Sequence, residues 1–597
     1  MTIATTDNST AAAASVDVPS DQPQPERTEV DRGVAQIKAE YQIQRHAEST
    51  PRPEPASDST EAPTATPGEA TAEPAAQGSV KRTGGQHQNR RQKNKNKAAR
   101  AEQGIRLCGK TASGETCTLG DKCTYSHDVE GYLAEKEADI GPSCVNIDVY
   151  GQCRYGLRCR FAGAHAAVDE KKAESVSQFY AHNEVSKDAQ IRMRKKQIKL
   201  ARTEEFEAIW EREVKEGVSD TVKGFGDVDG DEAREKRQRT RRGQIDYRGK
   251  TYLAPLTTVG NLPFRRICKG YGVDITCSEM ALAGNLLQGH QSEWALVKRH
   301  KSEDIFGVQL AGNNASVLGK AAEFISSECE VDFIDLNMGC PIDMVANNGG
   351  GSALLSQPKK IGRMVRTMHH VTDCDITVKI RTGVLKNENL AHKLIPQFEE
   401  WGASLITLHG RSRQQRYTKL ANWGYIGECK QVASRVPLFG GGDVMSWEEY
   451  WDHMETEKQC DGIMIGRGAL VKPWVFKEIE ERRVWDISAT ERLDMMKEFA
   501  RFGLEHWGTD SQGVSNTRRF LLEWQSFLHR YIPAGIMEVL PQRMNDRPPA
   551  FVGRNDLETL MASDKARDWI KLSEMILGPT PDDFTFVPKH KSNSYEN

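Results

Sequence analysis

At 597 residues, with 81 Lys and Arg against 84 Asp and Glu, the chain has room for several domains, and its formal net charge of -3 singles out no class of partner. No apolar run approaches membrane-spanning length, which excludes a helical membrane protein. The start, MTIATTDNSTAAAA, has neither the charged beginning nor the apolar core of a signal peptide, so the thirteen cysteines are expected to be reduced thiols in a cytosolic or nuclear protein.

Residues 1–103 are rich in Ala, Thr, Pro, Glu, Ser and Gln and nearly free of aromatics. Such a composition buries too little apolar surface to offset ordering entropy, and a disordered tail is expected. Its end, KRTGGQHQNRRQKNKNKAAR, is basic. It reads as a solvated linker, and equally as an RNA-phosphate contact or a nuclear import signal.

Residues 104–166 hold two cysteine–histidine clusters. Cys108, Cys117, Cys123 and His127 are spaced x8, x5, x3; Cys144, Cys153, Cys159 and His165 are spaced x8, x5, x5. Three thiolates and one imidazole make a closed tetrahedral zinc shell, and loops this small have little else to hold them. Oxidised pairing is the competing reading, but a histidine at the same relative place in both clusters argues for two structural Zn2+ sites. The spacing resembles the CCCH zinc-finger family, whose members commonly stack single-stranded RNA bases on aromatics between the ligands. Tyr125, Tyr155 and Phe161 occupy those intervals. Structural zinc without RNA contact is the alternative.

Residues 167–243 are expected to be a charged helix to about residue 216, read as a solvated face, followed by a linker around GFGDVDGDE. From 244 to 484 the texture changes to short apolar runs: YLAPLTT, ITCSEM, IFGVQL, FIDLNMG, ITVKIR, LITLHG, VPLFGGGDV and GIMIGRG, starting at 252, 275, 305, 333, 376, 405, 436 and 462. Eight runs recurring about every thirty residues, with helical patterns between them, predict a (β/α)8 TIM barrel, an α/β fold. Doubly wound sheets also alternate, but no G-x-G-x-x-G opens the first unit. Residues 485–597 predict a helical domain: a capping box from Ser488 to Glu491, an apolar stripe at 520, 521, 524, 527, 528 and 531, and a last helix stopped by Gly578. Arg518, Arg519 and Arg530 could reach a polyanion from it.

In such a barrel the carboxyl ends of the strands converge on one face. Run one ends in Pro255, Leu256 and Thr257, and run three carries Gln309. Run four ends Asn337, Met338, Gly339, Cys340. Run five supplies Lys379 and Arg381, and run six His409 and Arg411. Runs seven and eight end in Gly-rich turns, with Gly441, Gly442 and Asp443 in one and Gly466 and Arg467 in the other. Paired glycine turns at the two places where barrels hold phosphate favour a phosphate site over plain tight turns. Lys379 can set positive charge beside a ring that becomes anionic on reduction, and Gln309 can meet a ring imide, so a phosphorylated flavin fits this inventory. An unperturbed thiol, with a pKa of about 8.5, is mostly protonated near neutrality and can donate a proton, which suits Cys340 on its Gly-Pro loop. A nucleophilic Cys340 activated by His409 is the weaker alternative.

APLTTVGNLPFR, NMGCP with its GGG loop, VKIRTG, LHGRSRQQRY and IGRGAL resemble the tRNA-dihydrouridine synthase family, over residues 104–578 when the fingers and helical domain are included. That resemblance implies reduction of a uridine C5–C6 double bond in tRNA by FMN, recharged by NADPH or NADH. Carried to matching positions, Cys340 protonates C5 while hydride goes to C6. Pro255, Leu256, Thr257, Gln309, Lys379, His409, Gly441, Gly442, Asp443, Gly466 and Arg467 hold FMN, and Asn337, Arg381 and Arg411 meet the substrate. The family's turn commonly reads Gly-Asn-Gly-Asp, so Gly441 keeps a backbone donor but no side-chain contact. The tandem fingers point within the family to position 47 of tRNA, with messenger RNA as a further substrate, and the helical domain clamps the RNA. A monomer in cytoplasm and nucleus, without membrane association, is expected. The alternatives are an RNA-binding CCCH adaptor with an inactive barrel, and a flavin oxidoreductase of free pyrimidines.

Overall fold

The computed structural model describes residues 33–43, 105–167, 181–215, 245–456 and 458–589. The basic run before residue 101 and the linker at 216–244 lie outside the described residues.

Eight parallel strands close on themselves: β1 Thr251–Leu253, β2 Ile275–Cys277, β3 Ile305–Ala311, β4 Phe333–Met338, β5 Asp375–Arg381, β6 Leu405–His409, β7 Leu438–Gly441 and β8 Gly462–Ile465. Each pairs with the next, and Ile463↔Thr251 with Met464↔Tyr252 joins β8 to β1, so the barrel is complete. All eight apolar runs became strands because each is covered on both sides: β4 is buried at every position, inside by the barrel filling and outside by helices. The filling at the amino-terminal end is aromatic. Tyr252, Phe333 and Phe439 meet edge to face, with centroids 6.0 and 6.4 Å apart around Tyr252. Glycines make room for them. A Cβ on Gly307 would lie 2.0 Å from the Phe333 ring, and one on Gly462 2.3 Å from Phe439. The barrel floor is thereby shut, and the polar strand ends collect at the opposite face.

The carboxyl-terminal region is helical, as expected. Ala489–Trp507 begins with the complete Ser488–Glu491 capping box, and Ser511–Leu528 buries Leu521, Trp524, Phe527 and Leu528 against the rest. Asp556–Ala562 and Ala566–Leu577 follow, the latter ending at Gly578 with φ 74°. Arg518 does not face solvent. Its guanidinium donates to Ser573 Oγ at 2.9 Å and to the carbonyls of Leu577 and Gly578 at 2.9 and 2.7 Å, which caps the last helix.

Three expectations are corrected. The charged stretch is not one helix: a short strand Ala181–His182 pairs with Arg299–His300, and two helices, Lys187–Arg194 and Ala201–Lys215, are separated where Lys196 turns left-handed at φ 57°. Nor is it simply a solvated face. Thr203 and Phe206 are buried, and Thr203 Oγ1 donates to Glu323 Oε2 at 2.7 Å, fastening the second helix to the outside of the barrel. Third, part of the tail is ordered. Gly33–Ile43 lies on the helical domain with Ala35 and Ile37 buried among Ile532, Ile536, Met537 and Phe551. Ala35 and Ile37 suffice there because the covering surface comes from elsewhere in the chain, which composition cannot foresee.

Candidate functional site

The strand ends open into a cleft of about 2300 Å³ between the barrel and the helical domain. Pro255, Leu256, Thr257, Gln309, Asn337, Cys340, Lys379, Arg381, His409, Gly441, Gly442, Asp443, Gly466 and Arg467 all line it. Fourteen of the fifteen barrel positions singled out from sequence are thus together; the fifteenth, Arg411, is not.

A buried polar chain runs across β3, β4 and β5. Thr377 Oγ1 and Gln309 Nε2 donate to the two oxygens of Asp335, each at 2.7 Å. Burial raises the Asp335 carboxyl, and these two donors oppose the rise. Asn337 Nδ2 donates to Gln309 Oε1 at 2.7 Å, and Asn337 Oδ1 accepts from the Cys340 backbone N–H at 2.9 Å. The asparagine expected to face the substrate is therefore also the hinge-pin of the cysteine loop. Arg381 does the same from the other side, its Nε donating to Gly339 O at 2.7 Å and its Nη1 to Ser412 O at 3.0 Å. Ser352 closes the loop through Oγ to Cys340 O at 2.8 Å. The glycine cluster after Cys340 is explained at Gly351: with φ 56°, a Cβ there would stand 2.8 Å from Cys340 O. The thiol is half-buried on a backbone fixed from both directions.

Lys379 and His409 line the same cleft. Burial, with the neighbouring Arg381, lowers the Lys379 ammonium to about 8, and none of the described residues accepts a hydrogen bond from its Nζ. Burial and the charges of Arg381 and Lys379 push His409 well below its ordinary value, so its imidazole is neutral. Its Nδ1 is buried without a partner. On the cleft wall, an ammonium with no hydrogen-bond acceptor among the described residues and a neutral imidazole offer polar groups to a ligand. Gly442, at φ 130°, has Ala421 Cβ only 2.6 Å from where its own Cβ would be, and His409 Nε2 at 3.4 Å, so backbone approaches closely here. Donor, cation and bare backbone together fit a phosphorylated aromatic ring system.

Arg411 is a correction. It is fully buried, and its Nη2 reaches Asp443 Oδ2 at 2.5 Å while its Nε donates to Lys419 O at 2.9 Å. It is not among the residues that line the cleft, and its bonds run to the protein instead. Asp443, held at φ 64°, also binds Arg467 Nη2 at 2.7 Å and accepts from Ala421 N at 2.8 Å. Its carboxylate is committed to holding two arginines rather than to a cofactor. Arg467, its charge disfavoured by burial, lies 4.3 Å over the Tyr417 ring. Tyr417 stands in the QQRY stretch quoted above without being assigned a role. On the helical-domain wall of the cleft stands Arg530, named from sequence as able to reach a polyanion, together with Arg543 and Arg547, which were unassigned; only a three-dimensional approach brings them there.

Both cysteine–histidine clusters are assembled. In each, the four ligand atoms lie within 4.8 Å of one another, a donor set and spacing that fit Zn2+. The expectation that aromatics of both fingers face RNA is corrected for the second. Phe161 is buried in the main core, and Tyr155 packs on Gly508, where a Cβ would fall 2.2 Å from its hydroxyl. Thr509 Oγ1 accepts from Asn146 at 3.0 Å and sits 3.2 Å from Cys159 Sγ. The second finger is thus spent on the helical domain, whereas Tyr125 of the first is exposed beneath Arg106.

Among the described residues no helix is long and apolar enough to cross a membrane. The family model described as Dihydrouridine synthase (Dus) matches residues 252–518. The chain is 50% identical over 523 residues to "tRNA-dihydrouridine(47) synthase [NAD(P)(+)]-like" of Homo sapiens, covering 81% of this chain and 80% of that one. It is 43% identical over 590 residues to "tRNA-dihydrouridine(47) synthase [NAD(P)(+)]" of Coprinopsis cinerea (82% and 87% covered), and 40% identical over 608 residues to the Arabidopsis thaliana relative (85% and 88% covered).

Proposed function

This chain belongs to the dihydrouridine synthase family, an NAD(P)H-dependent flavin oxidoreductase family, and from that premise we propose how its own residues reduce uridine in tRNA. The cofactor is FMN, held by Pro255, Leu256 and Thr257 on one wall and by the Gly441, Gly442 and Gly466 backbone with Arg467 at its phosphate. Reduced FMN, when bound, supplies a hydride to C6 of the uracil ring. Gln309 keeps one N–H and one lone pair for a ring imide after its bonds to Asp335 and Asn337. Lys379 holds positive charge there below about pH 8. His409, neutral, offers a nitrogen without exchanging protons across physiological pH.

Cys340 gives its proton to C5. The observation that carries this reading is the half-buried thiol facing the same cleft as Lys379 and His409, on a loop whose N–H, C=O and neighbouring Gly339 carbonyl are each bonded. Removing sulfur alone therefore leaves the loop in place. Cys340→Ala is expected to retain a flavin reducible by NADPH while dihydrouridine formation falls by about 10²–10⁴, the share of a positioned general acid. Full turnover in that variant overturns the assignment.

The base reduced is at position 47, with messenger RNA as a second substrate; dihydrouridine mapping in cells lacking the protein tests both. Two structural Zn2+ ions hold the fingers. The basic run at 81–100 supports action in nucleus as well as cytoplasm, which imaging of the tagged chain with and without that run checks.

A further inference from the structure

The Gly33–Ile43 segment sits where a tail has no reason to be. Residues 537–555, between the helical turn at Ala534–Ile536 and the helix at Asp556–Ala562, contain neither helix nor strand. A segment that long has backbone groups to satisfy and few internal partners. Among the described residues, the β-bridges it makes all go to the tail: Val34↔Arg547, Ile37↔Met537 and Gln42↔Phe551. Ala35 N donates to Arg547 O at 3.0 Å, and Arg547 N to Gly33 O at 3.0 Å. Glu538 N donates to Gln36 O at 3.0 Å, Val552 N to Tyr41 O at 2.9 Å, and Lys38 Nζ to Gly535 O at 2.7 Å. Ile37, 2% exposed, is the apolar anchor.

What this segment fixes matters. Arg543 and Arg547, with Met544 and Asn545, form the part of the cleft wall facing the barrel mouth, and Gly33, Val34 and Ile43 themselves reach that wall. Detaching the segment would leave the Arg547 peptide without either bond and the loop without its β-pairing.

We propose that Gly33–Ile43 is a strap that sets the Arg543–Ala550 loop as the basic rim of the cleft, and that Ile37 is a positioning residue for RNA binding. Its action lies on substrate affinity, not on flavin chemistry, and the proposal rests on the RNA-reductase reading above. The test uses the full chain. Ile37→Asp puts a charge into an apolar seat, while Glu40→Ala, at an exposed position, is the control. Ile37→Asp should raise the Kd and KM for tRNA about tenfold, the usual size of coupling between an element and a site it biases. Flavin content, flavin reduction by NADPH and kcat at saturating tRNA should stay as in the unaltered chain. A synthetic peptide of residues 33–43, added in excess, should restore the affinity.

Unchanged tRNA affinity in Ile37→Asp, or lost flavin content, overturns the strap. Failure of the peptide to restore affinity does so too, since it points to general misfolding. If the unaltered chain bound tRNA yet formed no dihydrouridine, the functional reading would fall, while the affinity difference would still judge the strap.

Discussion

Asp443→Asn is the sharpest perturbation the site allows. The carboxylate holds Arg467 at 2.7 Å and the fully buried Arg411 at 2.5 Å. At an effective dielectric of about 20, a unit pair at such distances attracts by about 6 kcal/mol before desolvation. Taking the charge from one partner of a buried pair costs a net 3–5 kcal/mol or so, because the other charge stays buried and alone. For a domain of barrel size that lowers Tm by about 6–20 °C. Arg411→Met should cost less, since Asp443 keeps Arg467 and the Ala421 N–H. The double variant, with one arginine and no carboxylate, should lie closer to Arg411→Met than to Asp443→Asn, and the cycle measures the coupling directly. Thermal melts of the three proteins, read alongside flavin absorbance and tRNA affinity, decide the matter. Were Arg411→Met to melt like the unaltered chain and lose only tRNA affinity, the buried ion-pair account would be wrong and Arg411 a substrate contact after all.

Gly442→Ala should yield a colourless protein, destabilised by about 1–3 kcal/mol from its positive φ and the 2.6 Å approach to Ala421; a normally yellow preparation refutes the cofactor seat. Lys379 has a folded-state value near 8, below its unfolded value, so the folded chain is penalised for its charge below pH 8 and relieved as pH rises from there towards 10.5. Chemical denaturation across that window should show stability rising with pH relative to Lys379→Met, and parallel curves would contradict the burial argument. Cys159→Ser should lower the Tm of the whole enzyme because the second finger shares its core, while Cys123→Ser should release only the first. Equal melts would show that the second finger is not a structural joint.

The barrel was legible because each strand is a run of buried residues that announces itself locally, and its strand ends are where the chemistry must be. Cys340, Lys379 and His409 could be found that way. Arg411 could not: an arginine at a strand end reads as a substrate contact until Asp443, on the next strand's turn, is seen to claim it. The helix break at Lys196 lacks a glycine or proline to mark it. Tyr155 and Phe161 carry the right types for RNA stacking, but Gly508 and Thr509, some 350 residues away, decide their use. The strap was hidden for the same reason, since its apolar surface is completed by Ile536 and Phe551.

The aromatic plug of Phe333 and Phe439 has a kinetic corollary. With the barrel sealed beneath, anything that is to reach the ring seat must come through the doorway at the strand ends. On the proposed reading a nicotinamide and a flipped-out pyrimidine share that one entrance, so steady-state kinetics should give the parallel double-reciprocal lines of a cycle in which they take turns.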